Sequence, residues 1–187
     1  MTLIRPRSVS TPRPRVSDRF QSFREALAQT GVESSDFDLN PEVTLPEGRS
    51  LRPAGVLAPV VDTGTRLELI LTKRSSALKH HPGQIAFPGG KQDGGDADVI
   101  AAALREAREE IGLPSDIVDV LGVLPAHETV TGFSVTPVIG YVTRDFTVVP
   151  EPGEVEEVFR VPLDHVLNPS NYLVHSRRWR GQRRYYY

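Results

Sequence analysis

The chain contains no cysteine. Disulfides, thiolate metal sites and thiol nucleophiles are therefore excluded together, and the composition suits a reducing compartment. No apolar run approaches the ~20 residues that a membrane-spanning helix needs. An excess of either charge is also missing: the formal net charge is −2, which argues against a general binder of nucleic acid or membrane surfaces. The sequence shows no glycine-rich dinucleotide fingerprint, no internal repeat and no second domain. These absences predict a soluble, cytoplasmic domain. What is present suffices for one core: 187 residues, 39% of them hydrophobic, exclude wholesale disorder.

The near-zero charge hides an uneven spread. Residues 1–16 carry Arg5, Arg7, Arg13 and Arg15 and no acid, and residues 175–187 carry Arg177, Arg178, Arg180, Arg183 and Arg184 and no acid. Setting these nine aside leaves 13 basic residues against 24 acidic ones, a net of −11 for the middle. Such a middle is either a solvated surface or a site awaiting a cation.

Residues 1–16 alternate Pro, Arg, Ser and Thr without an apolar period and read as a flexible tail. Their basic, Ser-rich character is also that of a transit peptide, but the prolines deny it an amphipathic helix. The remainder, 17–187, reads as one domain. A helix with Val16, Phe20, Phe23 and Leu27 on one side, capped by Ser17 or Asp18, ends near Gly31. Residues 32–53 are polar and Pro-rich, an irregular connection. AGVLAPVV is an apolar run, and RLELILTKR a strand alternating at Leu67, Leu69 and Leu71. QIAF is a short strand leading to Pro88, Gly89 and Gly90. A helix from about Ala97 to Ile111 follows, closed by Gly112 and Pro114. VDVLGVL and FSVTPVIGYVT are further strands, DHVL is a short helix stopped by Asn168 and Pro169, and YLVHS with RRYYY forms a final strand pair. Alternating strands and helices make a mixed α/β domain.

The chemistry concentrates in DADVIAAALREAREEIGL. Ile100, Leu104, Ala107 and Ile111 form an apolar stripe, while Glu106, Glu109 and Glu110 share the opposite side. Carboxylates crowded on one turn repel by roughly 0.2–0.5 kcal/mol per pair. A Mg²⁺ or Mn²⁺ ion would turn that penalty into coordination, since hard cations prefer carboxylate oxygens. Arg105, four residues before Glu109, can orient it. In isolation REAREE would be a solvated face partnered by Arg105 and Arg108. The loop upstream alters that balance, because Gly89, Gly90, Asp93, Gly94, Gly95 and Asp96 can bring carbonyls and carboxylates close to a metal and a phosphate.

These residues resemble the signature of the Nudix hydrolases, G-x5-E-x7-R-E-U-x-E-E-x-G-U, where U is bulky and apolar. The match runs through Gly90, Asp96, Arg105, Glu106, Ala107, Glu109, Glu110, Gly112 and Leu113. Asp96 stands for Glu, Ala107 for a bulky residue, and eight residues rather than seven separate Asp96 from Arg105, which takes support from a role for Asp96. Upstream, LTKRSSALKHHPGQIAFPGG is similar to the motif of coenzyme A pyrophosphatases within that family, through Leu71, Thr72, Arg74, Ser75, Lys79, Gly83 and Phe87 to Gly90. Lys79 stands where Arg is usual, which keeps the charge and loses a bidentate grip.

The resemblance spans about residues 50–187 and implies an α/β/α sandwich with a mixed sheet. It implies hydrolysis of coenzyme A or an acyl derivative to 3′,5′-ADP and 4′-phosphopantetheine, with Mg²⁺ or Mn²⁺. The implied metal ligands are Glu106 and Glu110, completed by Glu109 and the Gly90 carbonyl. Arg74, Ser75 and Lys79, with Gly89 and Gly90, are the implied substrate contacts. The general base stays open between Glu109, oriented by Arg105, and Glu154, Glu156 or Glu157 in a later loop. His80 and His81 receive no catalytic role. Three other readings stay open: a Nudix pyrophosphatase for ADP-ribose, NADH or another nucleotide, a nucleotide-binding module that does not cut, and RNA binding through the Arg-rich end with Trp179 and Tyr185. Nucleic acid and membrane are otherwise not expected as partners, and a homodimer is open. Enzymes of the resembled group continue past the strand that RRYYY begins, so a further segment is expected beyond Tyr187.

Overall fold

The computed structural model describes residues 16–29, 31–44, 48–78, 81–179 and 181–186. The basic leader, expected to be a flexible tail, lies outside the described residues up to Arg15, as do Lys79, His80, Arg180 and Tyr187.

Strands β1 (Ser34–Ser35), β2 (Arg52–Asp62), β3 (Leu67–Arg74), β4 (Ile85–Ala86), β5 (Gly89–Lys91), β6 (Val118–Val123), β7 (His127–Glu128), β8 (Phe133–Val142) and β9 (Val155–Pro162) form one mixed sheet. Its order is β1-β7-β8-β2-β3-β4, with β5 also on β2, β6 on β8 and β9 on β3. The central pair β2 and β8 is parallel, in register from Arg52 opposite Phe133 to Val60 opposite Tyr141. Helices are α1 (Val16–Leu27), α2 (Val99–Ile111) and α3 (Leu163–Val166). Strands β10 (His175–Trp179) and β11 (Gln182–Tyr186) pair antiparallel; the expected final strand pair is present, but its first strand starts at His175 rather than at Tyr172 of YLVHS. None of the described helices is long and apolar enough to cross a membrane.

The apolar run of β2 is explained by burial on both faces. Leu57 and Val61 join Ala103, Ala107 and Ile111 of α2 on one side, whereas Ala58 and Val60 join Phe20 of α1 and Leu163 of α3 on the other. A central strand covered by helices on both faces must be apolar at every position instead of alternating. The same holds for β3, read from the sequence as a strand alternating at Leu67, Leu69 and Leu71. Leu69 enters the α1 side and Ile70 the α2 side, and Thr72 is buried with its hydroxyl donating to the Ala86 carbonyl at 3.2 Å. The layers are therefore helix, sheet, helix, as the resemblance implied.

Two expectations about the connections change. The glycine pair at 89–90, read as loop, is strand: Gly89 and Gly90 pair with Val56 and Gly55. In the connection read as irregular over 32–53, Ser34–Ser35 form a strand, β1, parallel to β7, and Arg52 and Pro53 already belong to β2.

Helix α2 begins at Val99 because Asp98 caps it, accepting the Ala101 N–H at 2.8 Å. It ends at Gly112 in the left-handed region (φ 72°), with Leu113 N–H donating to the Ala107 carbonyl. The helix sits tight on β2 because Gly55 has no side chain: a Cβ there would fall 2.0 Å from the Val99 carbonyl oxygen. Gly55→Ala should force α2 off the sheet and destabilise the protein by about 1–3 kcal/mol in chemical denaturation. An unchanged midpoint would show that the contact is slack.

Candidate active site

Helix α2 and strand β5 build the centre. Gly90 lies directly beneath Glu106, so that a Cβ at Gly90 would come 2.5 Å from Glu106 Oε1. One position earlier, the Gly89 N–H donates to Glu110 Oε2 at 3.2 Å. Gly89 itself has φ 156°, and a Cβ on it would meet the Gly55 carbonyl at 2.5 Å. Side chains on β5 would therefore displace the carboxylates or the sheet. The carboxylate side of α2 is not a solvated face: Glu110 is only 5% exposed, whereas Glu109 is 58% exposed at its side chain.

Arg105 organises this surface. Its Nε and one terminal nitrogen grip the two Asp96 oxygens, each at 3.0 Å. The other terminal nitrogen donates to Glu106 Oε1 and Glu109 Oε2, both at 3.0 Å, and the first also reaches the Lys91 carbonyl at 3.2 Å. These bonds hold the Asp96 carboxyl below, and the Arg105 guanidinium above, their ordinary values. Asp96, from which the irregular spacing had taken support, is thus the main partner of Arg105. In the turn before the helix, Asp93 N–H also donates to Asp96 Oδ2 at 2.8 Å.

The second wall comes from the end of β3. Arg74 N–H donates to the Gln84 carbonyl at 2.8 Å and Gly83 N–H to the Arg74 carbonyl at 3.1 Å, which ties off the turn between them. The Arg74 Nε is buried and has no hydrogen-bond partner among the described residues. Arg74 lines a cavity of about 270 Å³ with His81, Gln84, Asp36 and the turn Thr129 to Thr131. Ser75 lies beside it, its hydroxyl accepting the Ala77 N–H at 3.3 Å and its own N–H donating to the Glu154 carbonyl at 2.8 Å.

The three acids expected in one later loop are separated by the structure. Glu154 precedes β9, whereas Glu156 and Glu157 belong to the strand. Glu156 is paired with Lys73 at 2.6 Å, which lowers its carboxyl and raises the Lys73 ammonium. Glu157 stands opposite Lys73 across β3 and β9. The charge of Glu154 is felt by both Glu106 and Glu110.

Burial foremost raises Glu106, against the pull of Arg105. It pushes Glu110 up to about 7, with Glu106 adding and the Gly89 N–H and Arg74 opposing. Among the described residues no three acidic or imidazole side chains already close into a metal cage. The donors nevertheless fit a hard divalent ion: two carboxylates held apart from water, like-charged, and seated over glycines that leave room above the backbone. Sequence reasoning missed Asp36, Gln84, Thr129 and Thr131, since no local pattern joins segments so distant in the chain.

Glu110 makes stability pH-dependent. The unfolded chain releases this proton near 4.5, whereas the folded state holds it to about 7. Its contribution is therefore full below about pH 4.5 and is lost as pH rises through about 7, on the order of 2–3 kcal/mol. In chelator, unfolding of Glu110→Gln should lack that part of the decline between pH 5 and 7.5; parallel wild-type and variant profiles would contradict the assignment.

A Nudix domain model matches residues 51–180 of the chain. The chain is 49% identical over 121 residues to a protein called "uncharacterized Nudix hydrolase NudL" from Enterobacter sp. (strain 638), covering 65% of this chain and 62% of that protein. A protein of the same name from Pectobacterium atrosepticum is 41% identical over 152 residues, 78% of each chain. The chain thus spans about three fifths of the length of the Enterobacter relative it matches. Among solved structures, a Nudix hydrolase from M. smegmatis, RenU, superposes with a TM-score of 0.53 at 25% identity, covering 63% of this chain and 74% of that one. A C. elegans Ap4A hydrolase complex shares the fold with a TM-score of 0.53 at 20% identity, over 65% of this chain and 88% of that one. With the carboxylate-bearing helix and its glycine strand inside the matched residues, the chain belongs to the Nudix family.

Proposed function

We propose that the protein is a metal-dependent pyrophosphohydrolase that cuts the diphosphate of coenzyme A or an acyl-coenzyme A to 3′,5′-ADP and 4′-phosphopantetheine. One observation carries this reading. The stretch from Arg74 to Gly90, which has the coenzyme A pyrophosphatase wording, runs from a half-buried arginine whose Nε has no hydrogen-bond partner among the described residues to the glycines beneath Glu106 and Glu110.

Glu106 and Glu110, with Glu109 and the Gly90 carbonyl, would hold Mg²⁺ or Mn²⁺, which supplies charge neutralisation on the diphosphate. Arg105 keeps Glu106 and Glu109 from drifting apart and shields the repulsion between them. The buried Arg74 Nε–H gains an acceptor from a phosphate oxygen, and the Ser75 hydroxyl, whose oxygen already accepts from Ala77, retains its proton to donate. Lys79 joins them through its motif position. Glu154 is the preferred general base from outside the helix, because Glu156 is committed to Lys73 and Glu157 sits on the strand facing it. Glu109 is the alternative within the helix.

Glu106→Gln and Glu110→Gln should each lower kcat on coenzyme A by about 10²-fold or more, with unchanged circular dichroism. Full turnover at saturating Mn²⁺ in either variant would remove these residues from the reaction. A panel of coenzyme A, dephospho-coenzyme A, NADH and ADP-ribose should show coenzyme A preferred in kcat/KM; equal or better cleavage of NADH or ADP-ribose would replace the substrate assignment. Arg74→Ala should lose more on coenzyme A than on dephospho-coenzyme A, and equal losses would confine Arg74 to the diphosphate.

A further inference from the structure

The cavity beside Arg74 has a wall that the Nudix match does not contain. The match begins at residue 51, yet Asp36 lines the cavity from upstream of it. Asp36 follows β1, which lies parallel to β7 with Ser34 opposite His127 and Ser35 opposite Glu128. Its carboxylate is doubly engaged: Oδ2 accepts the Val130 N–H at 2.8 Å, and Oδ1 faces His127 Nε2 at 3.1 Å. An ionised carboxylate can only accept, so Nε2 carries the proton. The other ring nitrogen, Nδ1, then accepts from the Ser34 hydroxyl at 2.9 Å. Backbone bonds repeat the attachment, with Ser34 N–H donating to the Ala126 carbonyl at 3.2 Å and Asp36 N–H to the Glu128 carbonyl at 2.9 Å.

What this clamp holds is the turn between β7 and β8. Thr129 and Thr131 face one another at 3.0 Å between their hydroxyls and line the cavity opposite Arg74, His81 and Gln84. The turn closes on itself, Thr129 N–H donating to the Phe133 carbonyl at 2.9 Å and Phe133 N–H to the Thr129 hydroxyl at 3.1 Å. Arg52 secures its far end at the Thr131 carbonyl, but among the described residues only Asp36 holds the Val130 amide at the tip. Val130 is 67% exposed and has no apolar burial to anchor it. The Thr131 hydroxyl, braced by Thr129, with the His81 imidazole and an arginine whose buried Nε has no partner among the described residues, makes a seat for a phosphate-bearing group. Asp36 is tolerable in such a seat because both of its oxygens are already engaged by donors.

We infer that Asp36 is a positioning residue for substrate. Through His127 and the Val130 amide it fixes the Thr129 to Thr131 wall, so that chain lying before the Nudix match sets the affinity for the phosphate-bearing adenosine end of the substrate. The inference rests on the coenzyme A reading above. It predicts a defect in binding with the chemical step intact, because Asp36 touches none of Glu106, Glu109, Glu110 or Arg105.

The test compares wild type, Asp36→Ala, Asp36→Asn and His127→Ala in steady-state hydrolysis of coenzyme A, and in calorimetric binding of 3′,5′-ADP in chelator. Asp36→Ala should raise KM and the Kd for 3′,5′-ADP by about tenfold while kcat stays within about twofold. Asp36→Asn should restore both, since its carbonyl still accepts from Val130 and its amide can donate to the other imidazole tautomer. His127→Ala, which keeps the Val130 bond, should fall between, and it carries the test if Asp36→Ala does not fold. Unchanged KM and Kd in both alanine variants, or a loss confined to kcat, would overturn the inference while leaving the coenzyme A reading in place. Absence of coenzyme A turnover by wild type would overturn that reading, and this inference with it.

Discussion

Arg105 donates to four acceptors at once, the Asp96 carboxylate, Glu106, Glu109 and the Lys91 carbonyl. Without it, α2 would present like charges on adjacent turns over a strand that also carries its own polar backbone. The single guanidinium joins the loop before α2, the helix and the end of β5 into one body. Its planar fork suits that task in a way a lysine ammonium does not, because two acceptors can be met at each edge. The bonds also decide which carboxylates are free: Glu109 is drawn outward to Arg105, and Glu110 is left buried against the Gly89 amide.

A second constraint is the absence of side chains where α2 meets the sheet. Gly55 admits the start of the helix, and Gly90 admits the Glu106 carboxylate. Burial then raises Glu106 and Glu110, so that the folded apoprotein stores an unfavourable arrangement of acids. On the proposed function a hard cation would relieve that arrangement, and the chemistry would draw on the same two carboxylates. On that proposal, stability and function would pull against each other at Glu110, the most buried of the α2 acids.

Much of this was legible in the residues. The apolar stripe and the Gly112 stop located α2 to within two residues at its start, because Asp98, not Ala97, precedes the first helical turn as its cap. The final strand pair was legible from YLVHS and RRYYY, although its first strand lies three residues later, at His175–Trp179. Strand β5 was hidden, since glycines carry no strand signal and Gly89 is placed by β2, far upstream. Helical spacing located Glu110 opposite the apolar stripe but could not show that β5 packs there. The cavity was illegible for a related reason: Ser34 and His127 meet across 93 residues, and two-residue strands leave no period to read. The likeness to coenzyme A pyrophosphatases, by contrast, was carried by contiguous letters from Leu71 to Gly90.

The net charge of −2 conceals a basic leader, an acidic middle and a basic end, and the acidic middle includes the helix on which the account depends. On the proposed function these carboxylates, with Arg74, act on the diphosphate within coenzyme A. Incubation with coenzyme A and Mg²⁺ or Mn²⁺ in ¹⁸O-water, followed by mass analysis of the products, tests it most directly. The expected products are 3′,5′-ADP and 4′-phosphopantetheine, with one ¹⁸O in only one of the two. Intact coenzyme A, or release of inorganic phosphate with dephospho-coenzyme A, would contradict it.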